Sequence, residues 1–223
     1  MMPKPSTRYL MTDTLSLLAK SGQLSQEECE STAQMFLDGI EYFTPLRKVP
    51  LAEAGDAMLI QIDRAIREHH ARPNMEADKI TCRQGCAHCC RISNMGTTPE
   101  AVIALNYAEA HDIVIDEERL QRQARYGRDD FFSQPIADQA CIFLTPEQTC
   151  AIYPVRPASC RKHTVISEPS HCDVQTGGVD KVSRFVVPLA EILYSAFMNV
   201  FRGGSWPKVL AIALAQRNKG GTA

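Results

Sequence analysis

Nine cysteines stand in a chain of 223 residues, and eight of them fall between Cys82 and Cys172. Four belong to one run, Cys82-Arg-Gln-Gly-Cys86-Ala-His-Cys89-Cys90. The rest form a second group, Cys141, Cys150, Cys160 and Cys172, in which Pro154 and Pro157 stiffen the link from Cys150 to Cys160. Thiolates in this number suit soft or borderline metals: two zinc sites, mononuclear iron, or a cluster of iron and sulfide. Calcium and magnesium, which take oxygen ligands, are excluded. If the first run is helical, positions 82, 86 and 89 share a face; if Gly85 breaks it into a loop, the backbone can wrap a metal more closely. Neighbouring residues chelate one ion poorly, so one of Cys89 and Cys90 is expected to bridge, to serve a second metal or to do redox work.

Cys29 is set apart in sequence and reads as a small core residue of an amphipathic helix. His88, His163 and His171 flank the cysteines and are candidates to complete a site if a cysteine is spared, or to support one from behind. Arg83, Arg91, Arg156, Arg161 and Lys162 lie beside cysteines, where positive charge would compensate a thiolate cluster. Tyr153 is a candidate hydrogen-bond donor to sulfur or a packing ring.

The bulk composition sets the context. With 44% hydrophobic residues the chain can build a core without disulfides. Its first residues lack a continuous apolar run and a small-residue cleavage site, which predicts a reducing cytoplasm where thiols stay available for metal. A formal net charge of −2 without a clustered basic arm predicts no nucleic-acid partner. The longest apolar stretch, Phe185 to Phe201, is interrupted by Pro188, Glu191, Ser195 and Asn199, which predicts no membrane span.

The elements that must position the cysteines are mainly helical. Apolar periodicity predicts a helix over Thr7–Lys20. Ser25-Gln26-Glu27-Glu28 reads as a capping box opening a second helix that stops near Thr44-Pro45, and Leu51–His70 carries a third pattern ended by Pro73. Thr98-Pro99-Glu100 predicts a helix with Thr98 as its N-cap, and Asp116 caps a short one reaching Tyr126. The pieces Cys141–Leu144 and Ala151–Tyr153 allow at most a small hairpin. Glu191, Ser195 and Asn199 make a polar stripe on an otherwise apolar helix, expected to pack on the N-terminal helices or on a second copy. A last helix runs from Trp206 to Gln216. The expected fold is mainly α, a helical scaffold around a cysteine-rich, loop-rich metal site. It divides into a helical layer over residues 1–76, a metal-binding region over 77–180 and C-terminal helices over 181–223 on the same core.

The runs CRQGCAHCC at 82–90, TPEA at 98–101 and CIFLTPEQTCAIYPVRPASCR at 141–161 resemble the bacterial cysteine-cluster proteins called CxxCxxCC, a zinc- or iron-chelating domain family. The first interval here is C-x3-C where the family name has C-x2-C. The resemblance implies Cys82, Cys86, Cys89, Cys90, Cys141, Cys150 and Cys160 as the metal-binding set, with Cys172 as the late cysteine of many members. It leaves zinc and iron open. Related patterns occur in flagellin lysine methylases, where an iron–sulfur cluster takes part in methyl transfer, although this chain is shorter and shows no separate methyl-donor motif. Three functions follow as expectations: a cytoplasmic zinc or iron chelator, an iron–sulfur enzyme of redox or methyl transfer, and a partner-binding protein or homo-oligomer with a purely structural metal.

Overall fold

The computed structural model describes residues 25–73, 77–127, 130–174 and 178–220. The helix expected over Thr7–Lys20 lies outside them. Helix α1, Gln26–Phe43, opens on the expected box: the Ser25 hydroxyl accepts from the Glu28 N–H at 3.1 Å, and the Glu28 carboxylate accepts from the Ser25 N–H at 2.8 Å. Pro45 turns the chain into a 3₁₀ turn, Thr44–Lys48, and α2 follows over Leu51–His70.

Helix α3 spans Thr98–Ala110, and its cap is Thr97 rather than Thr98. The i, i+3 relation of a capping box decides the register: Glu100 is three residues beyond Thr97, and its carboxylate accepts from the Thr97 N–H at 2.8 Å. Helix α4, Glu117–Gln123, is capped by Asp116, whose carboxylate accepts from the Arg119 N–H at 2.9 Å. It ends before Tyr126, because the chain turns away and the Tyr126 carbonyl receives the Ser205 hydroxyl at 3.4 Å. Two single turns, α5 (Ile136–Gln139) and α6 (Ala158–Arg161), precede the long α7 (Pro188–Phe201) and α8 (Trp206–Asn218), the latter reaching two residues beyond the expected Gln216.

Strand pairing is sparse, as expected. The small hairpin allowed around residues 141–153 is one antiparallel bridge, Leu144 to Cys150, closed by the Thr145–Thr149 turn. The two-residue strands β1 (Met95–Gly96), β2 (Thr164–Val165), β3 (Arg184–Phe185) and β4 (Gly204–Ser205) pair antiparallel as β1 with β4 and β2 with β3. These clasps tie the cysteine-rich region to the start of α7 and of α8.

Two apolar clusters hold the helices. One joins α1, α2 and α7 through Phe36, Phe43, Met58, Ile62 and Phe197. The other joins α3 and α8 through Leu105, Trp206 and Leu210, with Phe143 and Ile152 of the cysteine region on its edge. Helix α7 thus buries its apolar face within the chain, on α1 and α2. Its stripe turns outward: Ser195 donates to the Glu191 carbonyl at 2.8 Å, and the Glu191 carboxylate takes Lys162 and Arg184. Burial works to raise the Glu191 pKa, but those two cations outweigh it and hold it below the usual value. Among the described residues no helix is long and apolar enough to cross a membrane.

Helices α1 and α7 approach closely because position 39 is glycine: a Cβ there would lie 2.9 Å from the Ala196 Cβ. Alanine at an unobstructed helix position gains up to about 1 kcal/mol over glycine, whereas forcing an extra carbon into a packed crossing costs about 1–3 kcal/mol. Gly39→Ala is therefore expected to lower stability by urea unfolding. A stabilised variant would show that the crossing has slack.

Candidate metal centre

The first cysteine run is a loop and not a helix. Gly85 has φ +91°, a conformation that a side chain would resist, and the Cys86 N–H closes the turn on the Arg83 carbonyl at 3.1 Å. The chain then winds into one 3₁₀ turn, His88–Arg91, which carries Cys89 and Cys90. Of the two geometries open to the sequence, the glycine break is the one adopted.

Backbone hydrogen bonds bring the second group to this loop. The Cys141 N–H donates to the Cys90 carbonyl at 2.8 Å, and the Thr81 N–H donates to the Val165 carbonyl at 3.0 Å. The Val165 N–H points at the Cys82 sulfur at 3.3 Å. Cys160 rides on α6, Cys172 ends the 3₁₀ turn Pro169–Cys172 beside the 88–91 turn, and Cys150 lies at the bridge to Leu144. No disulfide joins cysteines among the described residues, and Cys29 is buried within α1, in the core.

The electrostatics show which sulfurs share a neighbourhood. Cys89 is felt by Cys82, Cys141, Cys150, Cys160 and Cys172, and it contacts the adjoining Cys90 thiol. Cys86 is linked to the set through Cys82 and Cys172. All eight predicted ligands therefore form one connected constellation with Cys89 at its middle. The hydrogen bond to Cys90, then burial, raise the Cys89 pKa far above the ordinary thiol value. Burial pushes Cys141 and Cys172 up to about 11, raises Cys160 well above the ordinary thiol value, and raises Cys82 and Cys150 as well. These shifts favour the neutral thiol at all six positions.

Positive charge reaches the cluster from residues only partly foreseen. Arg156 favours the thiolate at Cys89 and Cys150. Its guanidinium lies 3.9 Å from the centre of the Tyr153 ring, which gives that ring a packing role. Arg161, expected to compensate thiolate charge, instead uses its donors structurally: it pairs with Asp63 at 2.7 Å and donates to the Pro154 and Arg156 carbonyls. Its work is to hold the 154–156 turn against α2. Arg119, by contrast, favours the thiolate at Cys141 and donates to the Ala140 and Cys141 carbonyls. It stands 22 residues from Cys141, so adjacency in sequence does not reveal it.

His88 lies 3.8 Å from Asp173. With Arg91, which donates to Gln148 at 2.6 Å, these residues line a polar cleft of about 210 Å³ beside the first run. The buried nitrogens His163 Nε2 and His171 Nδ1 have no hydrogen-bond partner among the described residues, and burial lowers the His163 pKa so that the neutral ring is favoured. A neutral imidazole is the form that can ligate a metal or support one.

A family model named CxxCxxCC and described as "Putative zinc- or iron-chelating domain" aligns with residues 81–176. That segment is less than half of the chain. The segment contains all eight clustered cysteines and excludes Cys29. No curated protein and no solved structure matched the chain.

The residues of the matched segment and its neighbours fit zinc or iron by their chemistry: soft sulfur donors, two histidine nitrogens without a hydrogen-bond partner among the described residues, and guanidinium groups that offset negative charge. Among the described residues no group of three or more His, Cys, Asp and Glu side chains is arranged to hold a metal ion as it stands. The sulfurs share a neighbourhood rather than a closed cage. The Arg156 charge has a separate test in metal-free protein. Arg156→Gln is expected to move the pH midpoint of Cys150 alkylation upward, because a cation that favours the thiolate is lost. A midpoint that stays in place or falls would contradict that role.

Proposed function

We propose that this protein is a cytoplasmic zinc or iron chelator whose ligands come from Cys82, Cys86, Cys89, Cys90, Cys141, Cys150, Cys160 and Cys172. The observation that carries the reading is the convergence of both cysteine groups, distant in sequence, around Cys89. Bound zinc or iron would supply a fixed positive charge that lets several thiolates stand together. The chain's own part is to supply the sulfurs, to bring the two groups within reach through the Cys141–Cys90 backbone bond, and to offset charge with Arg156 and Arg119.

Binding should release protons, because the metal-free thiols are neutral. Each raised pKa means a proton that the cation must displace, so affinity rises with pH and falls on acidification. Titrating zinc into reduced, metal-free protein in buffers of different ionisation enthalpy is expected to give a proton count approaching the number of sulfurs bound. Tight binding without proton release would point to carboxylate or neutral imidazole ligands instead. No uptake of zinc or ferrous iron at all would overturn the reading.

Eight sulfurs exceed the four that one tetrahedral ion takes, and the contact between the Cys89 and Cys90 thiols places two donors side by side. That surplus favours a second reading, an iron–sulfur centre used in redox or methyl-transfer chemistry. Anaerobic purification is then expected to give a brown protein with broad visible absorption and acid-labile sulfide. A colourless protein containing stoichiometric zinc would remove this option and leave the first.

A further inference from the structure

The carboxylate of Glu100 is among the most deeply buried polar groups of the molecule, at 1% exposure, and no cation pairs with it among the described residues. Its partners are neutral donors. One oxygen accepts from the Ala158 N–H at 2.8 Å; the other accepts from the Thr97 N–H at 2.8 Å and the Thr97 hydroxyl at 2.7 Å, and shares the single Tyr194 O–H, at 3.3 Å, with the Met95 carbonyl. A second acceptor lies alongside. The Met95 carbonyl takes the Tyr194 hydroxyl at 3.1 Å and the Ser159 hydroxyl at 2.7 Å.

The positions of these partners in the chain give the network its meaning. Met95 follows Cys90 by five residues, and Ala158 and Ser159 immediately precede Cys160. Thr97 and Glu100 begin α3, whereas Tyr194 projects from α7 and is 3% exposed. A chain leaving the first cysteine run is thus pinned to the turn that carries Cys160, and both are pinned to two long helices. A surface capping box needs no such burial, and helix capping alone would not require bonds to Ala158 and Tyr194. An acceptor-only carboxylate is suited to four converging donors, which an amide could meet only by turning N–H groups toward some of them. Burial raises the Glu100 pKa and the donors oppose the rise.

We propose that Glu100, with Tyr194, is a positioning residue that fixes Cys160 against the first cysteine group. The inference deepens the metal-binding reading and rests on it for its purpose, but the placement itself is a property of the metal-free protein. Both can be read separately.

The test is site-resolved alkylation of reduced, metal-free full-length chain, followed by zinc release to a chromogenic chelator from the loaded protein. Cys29, buried in α1, reports general opening of the fold. In Glu100→Gln the alkylation rate of Cys160 relative to Cys29 is expected to rise on the order of tenfold, because a buried donor is left without its acceptor. Tyr194→Phe, which removes one hydroxyl and keeps the ring, is expected to shift the ratio several-fold in the same direction. Zinc release should quicken in the same order. An unchanged ratio in Tyr194→Phe, or Cys29 and Cys160 rising together, would overturn the inference. If Glu100→Gln does not fold, Tyr194→Phe decides alone. Wild-type protein that takes up no zinc or iron would remove the metal-binding reading, while the Cys160 ratio would still decide the positioning.

Discussion

Several thiols crowded into a partly buried pocket can ionise together only if something positive is placed among them. Each bare thiolate would repel its neighbours and lose the solvation that water gives it. Burial and the neighbouring sulfurs raise the pKa values of Cys82, Cys89, Cys141, Cys150, Cys160 and Cys172, which favours the neutral thiols in the absence of a cation. The same crowding makes a soft cation a favourable occupant, since it replaces protons and repulsion with bonds. The features around the site follow from that need: a glycine-turned loop, stitched backbones and a few guanidinium groups.

The helical scaffold serves the site by fixing where loops begin and end. Two apolar clusters hold α1, α2 and α7 on one side and α3 and α8 on the other. Between them the cysteine region has little regular structure and relies on paired two-residue strands and on side chains such as Arg161 and Glu100. Small loop-rich regions gain little from backbone regularity, so each bond to a long helix removes freedom the ligands would otherwise have.

The sequence made the helices legible wherever caps and periodicity agreed. Ser25 with Glu28, and the apolar spacing of Leu51–His70, place α1 and α2 as read. The α3 boundary moved by one residue because two threonines adjoin and only Thr97 stands three residues before Glu100. The small hairpin the sequence allowed is a single antiparallel bridge, because its short apolar pieces pack Phe143 and Ile152 into the α3–α8 cluster and leave little to pair along a ladder. Chemistry was legible as a set of sulfurs and not as a geometry. Spacing can nominate eight cysteines, but that Cys89 lies at their centre depends on contacts between residues tens of positions apart. Arg119 and Tyr194 were invisible for the same reason, and Arg161 was misread because adjacency to Cys160 says nothing about where a guanidinium points.

The central proposal is that both cysteine groups supply sulfur ligands to bound zinc or iron. X-ray absorption at the zinc or iron edge, on reduced protein as purified, tests it most directly. The result predicted is a first shell dominated by sulfur, at about 2.3 Å for zinc, that loses sulfur scatterers when Cys89 and Cys160 are replaced together by serine. A shell of oxygen and nitrogen, unchanged by that double replacement, would contradict it.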